Sequence, residues 1–207
     1  RGGKHPSPLN AALLAEKSGA DGITAHLRED RRHISDEDIY ALKNSLAVPL
    51  NLEMAVTNEM LDIALKTLPN AVCLVPEKRK EITTEGGLNI KNIPHLDKFI
   101  NKLKKKNIRI SLFLEPNIED VILAKKLEAD IIEFHTGKYC NLDIINRESE
   151  YDRIVNAITY ANKLLTILLI DPLSARPFKD LPKYPIADPI SFIEVHPFSL
   201  IAVSTSD

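Results

Sequence analysis

ADGITAHLREDRRHISDEDI, residues 20–39, is the stretch that decides the fold. GITAHL (22–27) alternates as a half-buried strand does: Ile23, Ala25 and Leu27 share one face, and Thr24, His26 and Arg28 share the other. A charged loop follows. Ser35 and Asp38 then fit a capping box that opens a helix running to about residue 46. Strand, loop and helix in that order make one β/α unit, with its polar side chains gathered where the strand ends.

The unit recurs on both sides. Upstream, PLNAALLAEKSG (8–19) reads as a helix with proline in its first turn and Gly19 as its stop. Downstream, the pattern predicts strands at 49–55, 71–75, 108–114 and 130–136, then near 166–170 and 190–195. Between them it predicts helices at 57–67, capped by Thr57, and at 95–106, 117–127 and 149–164, with a short one near 175–181. PEKRKEITTEGGLNIKNIP (76–94) is a long loop. Strands alternating with helices of this length mean a parallel sheet.

An open doubly wound sheet and a (β/α)8 barrel both fit that alternation, and the parity of the polar residues favours the barrel. Asn51 and Glu53 oppose Leu50, Leu52 and Met54; Ser111 and Glu115 oppose Ile110, Leu112 and Leu114; Glu133 and His135 oppose Ile132 and Phe134. A sheet covered on both sides should be apolar on both faces. Barrel strands need be apolar only toward their helices, and barrel enzymes put their chemistry at the C-terminal strand ends. The expectation is a single domain over residues 1–207: an incomplete (β/α)8 TIM barrel whose first strand would precede Arg1. Such a barrel would leave two sheet edges exposed.

Composition excludes several classes. The 207 residues carry 27 Lys+Arg against 29 Asp+Glu, a net charge of −2, which argues against a broadly basic nucleic-acid binder. No apolar run approaches the length of a membrane span. Two cysteines, Cys73 and Cys140, are too few for a disulfide framework, so a reducing cytoplasm is the simplest location. Both read as unactivated thiols, one packed and one in a loop. All seven glycines lie within the first 137 residues, while prolines crowd the last forty, so the C-terminal stretch follows different rules.

Three segments carry candidate chemistry. HLREDRRH (26–33) holds two imidazoles and three guanidinium groups, suited to proton transfer and to phosphate oxygens. Its bland reading is a solvated turn in which Glu29 and Asp30 pair with Arg31 and Arg32. His26 resists that reading, because it lies on the mixed face of a strand. Glu53, a carboxylate inside an apolar strand, must be paired, with Arg28 or Lys78 as candidates, or act as a general base. In PEKRKEITTEGG (76–87), Lys78 and Arg79 supply charge, Thr83 and Thr84 hydroxyls, and Gly86-Gly87 a tight backbone approach. Glu133 and His135 could join His26 and Glu53 around a metal, although no H-x-H pair supports this. His5, His95 and His196 read as ordinary surface or capping residues.

These segments resemble the pyridoxine 5'-phosphate synthase family. HLREDRRH, NLEMA, VPEKR and TTEGG, in this order and at these spacings, together with IIEFHTGKY (131–139), carry the resemblance. It extends over about residues 1–176, with 177–207 divergent. It implies a (β/α)8 barrel that condenses 1-deoxy-D-xylulose 5-phosphate with 3-amino-2-oxopropyl phosphate in vitamin B6 synthesis, without metal or organic cofactor. It implies a ring-shaped homo-oligomer, typically an octamer, with phosphorylated small molecules as partners and neither nucleic acid nor membrane. By resemblance, His26 matches an acid/base histidine and Glu53 a proton acceptor. Arg28, His33 and Thr83 match positions that hold the deoxyxylulose phosphate, and Arg1 an arginine on the aminoketone phosphate.

The sequence departs from the family at three places. The strand ending Asn-x-Asp-His would lie before Arg1. The family's Asn-Ala-Gly-His-Gly, which supplies a proton donor, corresponds to LLIDP (168–172), and its Ile-Gly-His to the region of Pro197-Phe198. These differences predict impaired turnover. They keep two rivals open: a non-catalytic remnant or subunit that binds a phosphorylated metabolite, and a different sugar-phosphate barrel enzyme.

Overall fold

The computed structural model describes residues 7–77, 86–143 and 145–164, and the backbone of three further strands at 167–170, 190–195 and 200–205. Arg1, His5, Lys78, Arg79, Thr83, Thr84, His196 and the helix expected near 175–181 lie outside the described residues.

The elements follow the expected order. Helix α1 (Pro8–Lys17) starts on the Ser7 cap with Pro8 in its first turn and stops before Gly19, whose φ of +97° suits glycine. Then come β1 (Gly22–His26), α2 (Asp36–Ser45), β2 (Leu50–Met54), α3 (Asn58–Thr67) and β3 (Ala71–Leu74). The capping box of Ser35 and Asp38 is complete, and the Thr57 side chain accepts from the Met60 N–H. A 3-10 turn (Ile90–Asn92) leads into α4 (Leu96–Lys104), β4 (Arg109–Leu114), α5 (Ile118–Lys126) and β5 (Ile131–Phe134). The chain continues through a short helix α6 (Gly137–Asn141), α7 (Arg147–Leu164) and β6 (Ile167–Ile170).

Strands β1 to β6 pair in sequence order, all parallel. The two faces divide as parity predicts. Ile23, Ala25, Leu27, Leu50, Leu52, Met54, Val72, Leu74, Ile110, Leu112, Leu114, Ile132 and Phe134 are buried in one continuous core. That core includes Ile39 and Leu42 of α2, Met60 and Ala64 of α3, Ile100 and Leu103 of α4, Val121 of α5 and Ala157 of α7. Each fully buried Leu or Ile contributes roughly 1.5–3 kcal/mol, so this apolar face fixes the strand register. The opposite face carries Thr24, His26, Asn51, Glu53, Cys73, Ser111, Glu133 and His135, and it is the inner face of an incomplete barrel.

The ring departs from expectation at its end. The strand at 190–195 exists as β7 (Ile190–Val195), but it pairs antiparallel with a strand the sequence reading did not include, β8 (Leu200–Thr205). Only residues 196–199 link them, and a parallel pairing needs a crossover of a dozen residues or more. β8 in turn lies antiparallel on β1, from Gly22 to Ala25. The β1 edge, expected to be bare, is therefore covered, and β6 and β7 are the outer strands of the sheet.

Candidate active site

His26 closes β1 and Glu53 is the penultimate residue of β2, and the two strands pair them directly in register. Because parallel partners point to the same side, both side chains emerge on the inner face at its C-terminal end. His26 Nδ1 lies 3.6 Å from Glu53 Oε2, with the two side chains 18% and 17% exposed. A half-buried carboxylate beside an imidazole, open to solvent on one side, can take up and return a proton. The next strands continue the same layer with Cys73 and Ser111. The Cys73 thiol hydrogen-bonds Glu133 Oε2 at 3.5 Å, one step further up β5.

Arg28 follows on the same face. Its Nε is 3.3 Å from Glu77 Oε1 and 3.5 Å from Asp30 Oδ1. A turn closed by the Arg31 N–H on the Arg28 carbonyl then reverses the chain, with Arg31 at φ +46°. The bland reading of the loop, a turn whose own acids pair its arginines, holds for Arg32 and not for Arg31. Arg32 pairs with Asp30 at 2.7 Å. Arg31 bonds Asp36 at 2.8 Å, reaches Glu59 and donates to the Glu29 carbonyl at 2.9 Å, so its ion pairs tie the loop to α2 and α3 rather than to the Glu29 or Asp30 carboxylates. His33 stands exposed on the loop.

Electrostatics separate these groups. Burial lowers His26 from 6.5 to about 4; Arg28 and His33 push the same way, and Asp30 opposes them. The imidazole is therefore neutral at neutral pH, one nitrogen a donor and the other an acceptor. Burial also raises the Glu77 carboxyl. Burial, Glu133 and Glu53 hold the Cys73 thiol well above its usual range, so it is no nucleophile at neutral pH.

A second polar cluster lies at the rim of β4 and β5. Glu115 Oε1 is 2.9 Å from His135 Nδ1 and accepts the Gly87 N–H at 3.0 Å, while Oε2 is 3.2 Å from Arg153. Arg153 also binds the buried Glu150, which Lys138 meets at 2.9 Å. Burial alone would raise Glu115, but these hydrogen bonds outweigh it and bring its carboxyl down to about 2. The Gly-Gly pair of the long loop makes its close approach here. A Cβ on Gly87 would lie 2.2 Å from the Glu115 nitrogen, whereas Gly86 makes only ordinary contact.

The structure thus brings His26, Glu53 and Arg28 together, leaves His33 at the rim, and contains Arg1 and Thr83 outside its described residues. No group of three His, Cys, Asp or Glu among the described residues is arranged to hold a metal: His135 turns to Glu115, and Glu133 receives the Cys73 thiol. Cys140 belongs to α6 rather than to a loop. Glu77 is a member of this site that the sequence pattern does not single out. Its one signal in the sequence is an acid just after an apolar strand, in VPEKR.

Comparison with known proteins assigns the family. Residues 1–168 match the family model described as Pyridoxal phosphate biosynthesis protein PdxJ. The chain belongs to this family. Among relatives in the PdxJ family, it is 54% identical over 157 residues to the pyridoxine 5'-phosphate synthase of Ehrlichia chaffeensis, covering 75% of this chain and 64% of that protein. It is 49% identical over 186 residues to the enzyme of the same name from Syntrophotalea carbinolica, covering 84% of this chain and 78% of that one. The chain thus spans just under two thirds of the Ehrlichia relative. A solved structure of a phosphonopyruvate hydrolase with oxalate and Mg²⁺ superposes with a TM-score of 0.55 at 16% identity, over 83% of this chain and 66% of that one. That likeness supports the barrel-like fold of this PdxJ family member and nothing more. No described helix is long and apolar enough to cross a membrane.

Proposed function

We propose that this chain is a pyridoxine 5'-phosphate synthase, a transferase-class enzyme of the cytoplasm, which condenses 1-deoxy-D-xylulose 5-phosphate with 3-amino-2-oxopropyl phosphate. The observation that carries the reading is the pairing of His26 with Glu53 at 3.6 Å on the inner face, in a chain of the PdxJ family. Amine and ketone join as an imine, and loss of water and phosphate leads to an aromatic ring. Every step moves a proton. Glu53 accepts protons from carbon or nitrogen, and the neutral His26 relays them. Arg28, His33 and Thr83 hold one phosphate and Arg1 the other, each guanidinium meeting a plane of oxygens. No metal or organic cofactor enters this scheme. The assembly is a homo-oligomer, an octamer by family resemblance.

Turnover is slow in this chain, because LLIDP (168–172) brings no imidazole where the family's proton donor stands. A second reading, binding of a phosphorylated metabolite without turnover, draws on one observation: β8 runs antiparallel on β1, where a barrel ring would continue in parallel. One experiment separates the two. The purified chain is mixed with both phosphate substrates and pyridoxine 5'-phosphate is followed by chromatography. Slow formation of product, abolished in H26N, supports the synthase. No product at stoichiometric enzyme overturns it in favour of binding alone, and turnover at the rate of an intact relative overturns the impairment.

A further inference from the structure

Glu77 lies three residues beyond the end of β3, where the Val75 N–H on the Met54 carbonyl keeps the chain on the sheet. From there its side chain reaches back over β2 to the end of β1. Oε2 accepts the Glu29 N–H at 3.0 Å, and Oε1 lies 3.3 Å from Arg28 Nε and 3.9 Å from His26 Nε2. One carboxylate therefore meets three consecutive features of the HLRED segment: the imidazole, the guanidinium and the backbone between them and the turn. Its side chain is 4% exposed, unlike the solvated ion pairs of the same loop, such as Arg32 with Asp30 or Arg31 with Glu59. Asp30 Oδ1 lies a little further from Arg28 Nε, at 3.5 Å, and accepts the Arg32 N–H, while its Oδ2 takes two side-chain nitrogens of Arg32. A carboxylate taken this far out of water is kept only where its partners are fixed.

We propose that Glu77 is a positioning residue that holds Arg28 by the Nε edge of its guanidinium, so that the outer nitrogens present a fixed fork to an incoming phosphate. The role rests on the reading that Arg28 receives a phosphate. It makes a prediction of unusual sign. A carboxylate that is merely near an anion site repels the anion, and removing its charge tightens binding. A carboxylate that orients the anion-binding arginine does the reverse, because an arginine released from its clamp must be ordered again at each binding event.

The test uses the full chain and inorganic phosphate as the probe. Calorimetric titration is run on the unmutated chain, E77Q, R28A and the double variant. In parallel, the Arg28 Nε–H resonance is followed by ¹H–¹⁵N NMR, assigned by its loss in R28K. E77Q should bind phosphate about tenfold more weakly, because the arginine loses the buried ion pair that orients it. The double variant should bind no more weakly than R28A, since both changes act through one group. The Arg28 signal should move toward its position in a free arginine. Unchanged or tighter phosphate binding in E77Q, additive losses in the double variant, or an unmoved Arg28 signal would each overturn the role. If the unmutated chain binds no phosphate while E77Q still releases the Arg28 signal, the clamp stands and the function proposed above falls. Lowering the pH of the unmutated chain until Glu77 protonates should release the same signal, which keeps the test available if E77Q does not fold.

Discussion

His26 and Glu53 are in-register partners on adjacent parallel strands, and their side chains meet at 3.6 Å on the inner face of the sheet. The apolar faces of the same strands, Ile23, Ala25 and Leu27 beside Leu50, Leu52 and Met54, set that register. A slip by one residue would turn both polar groups into the helical layer, so packing and chemistry select the same alignment.

If this pair moves the protons of the condensation, removing either member leaves binding intact and takes away the rate. H26N and E53Q should each lower turnover by about 10²–10⁴-fold, the usual yield of one positioned acid or base. Neither change opens a cavity, so the thermal transition should stay within a few degrees of the parent. Steady-state product formation beside a melting curve checks both, and a variant that keeps its rate would remove that residue from the mechanism.

His26 also makes stability depend on pH. Burial and Arg28 lower it to about 4, against 6.5 in the unfolded chain, while Glu53, Glu77 and Asp30 face it as carboxylates and His33 adds positive charge. Between pH 4 and 6.5 the unfolded chain binds more protons, so stability rises with pH across that window. The full effect is at most about 3 kcal/mol. Urea unfolding at pH 4.5 and pH 7 should show the difference, and H26N should flatten it; an unchanged slope in H26N would assign the dependence to another group.

Glu115 acts in a lower window. His135, the Gly87 N–H and Arg153 hold it at about 2, against an ordinary 4.5, despite its burial. Its folded pKa is depressed, so its contribution is complete above pH 4.5 and is lost as pH falls through 4.5 toward 2. E115A should destabilise by about 1.5–3 kcal/mol at pH 7, because it strands His135 and the Gly87 N–H without their acceptor, while Arg153 keeps Glu150. The deficit should vanish near pH 2 in acid-unfolding curves. G87A should also cost stability, since its Cβ would lie 2.2 Å from the Glu115 nitrogen and 2.3 Å from the Leu114 carbonyl carbon. Only backbone movement relieves that clash.

What could be read from the sequence was local. Alternation in GITAHLR and PLNLEM exposes the two faces directly, because side-chain period is a property of the strand itself. The caps at Ser35 and Thr57 involve residues three apart, so they too are visible in one dimension. Glu77 was not, because its partners at 26, 28 and 29 become neighbours only after β2 and β3 align. The antiparallel hairpin of β7 and β8 escaped for a different reason: ISFIEV reads the same whichever way it pairs, and the link of residues 196–199 decides direction only once LIAVST is recognised as a strand. Likewise the pairing of Arg31 with the carboxylates of Asp36 and Glu59, rather than with those of Glu29 and Asp30, goes with the left-handed turn at Arg31 itself.

The two thiols give a prediction that needs no substrate. Cys73 is fully buried beside Glu53 and Glu133, and its thiol donates to Glu133, so losing the proton would place a further negative charge next to two carboxylates at a site closed to water. Burial is the larger obstacle and the two carboxylates add to it. Cys140, on the short helix α6, is part-exposed. A thiolate is required for attack on a disulfide reagent, so reactivity follows both access and charge. Titration of the native chain with an aromatic disulfide should therefore release one equivalent quickly, and C140S should abolish that phase. The second equivalent should appear only with denaturant. Fast labelling of two thiols in the native chain would mean that solvent reaches Cys73 beneath the His26–Glu53 pair, and with its burial would go the raised pKa of the thiol.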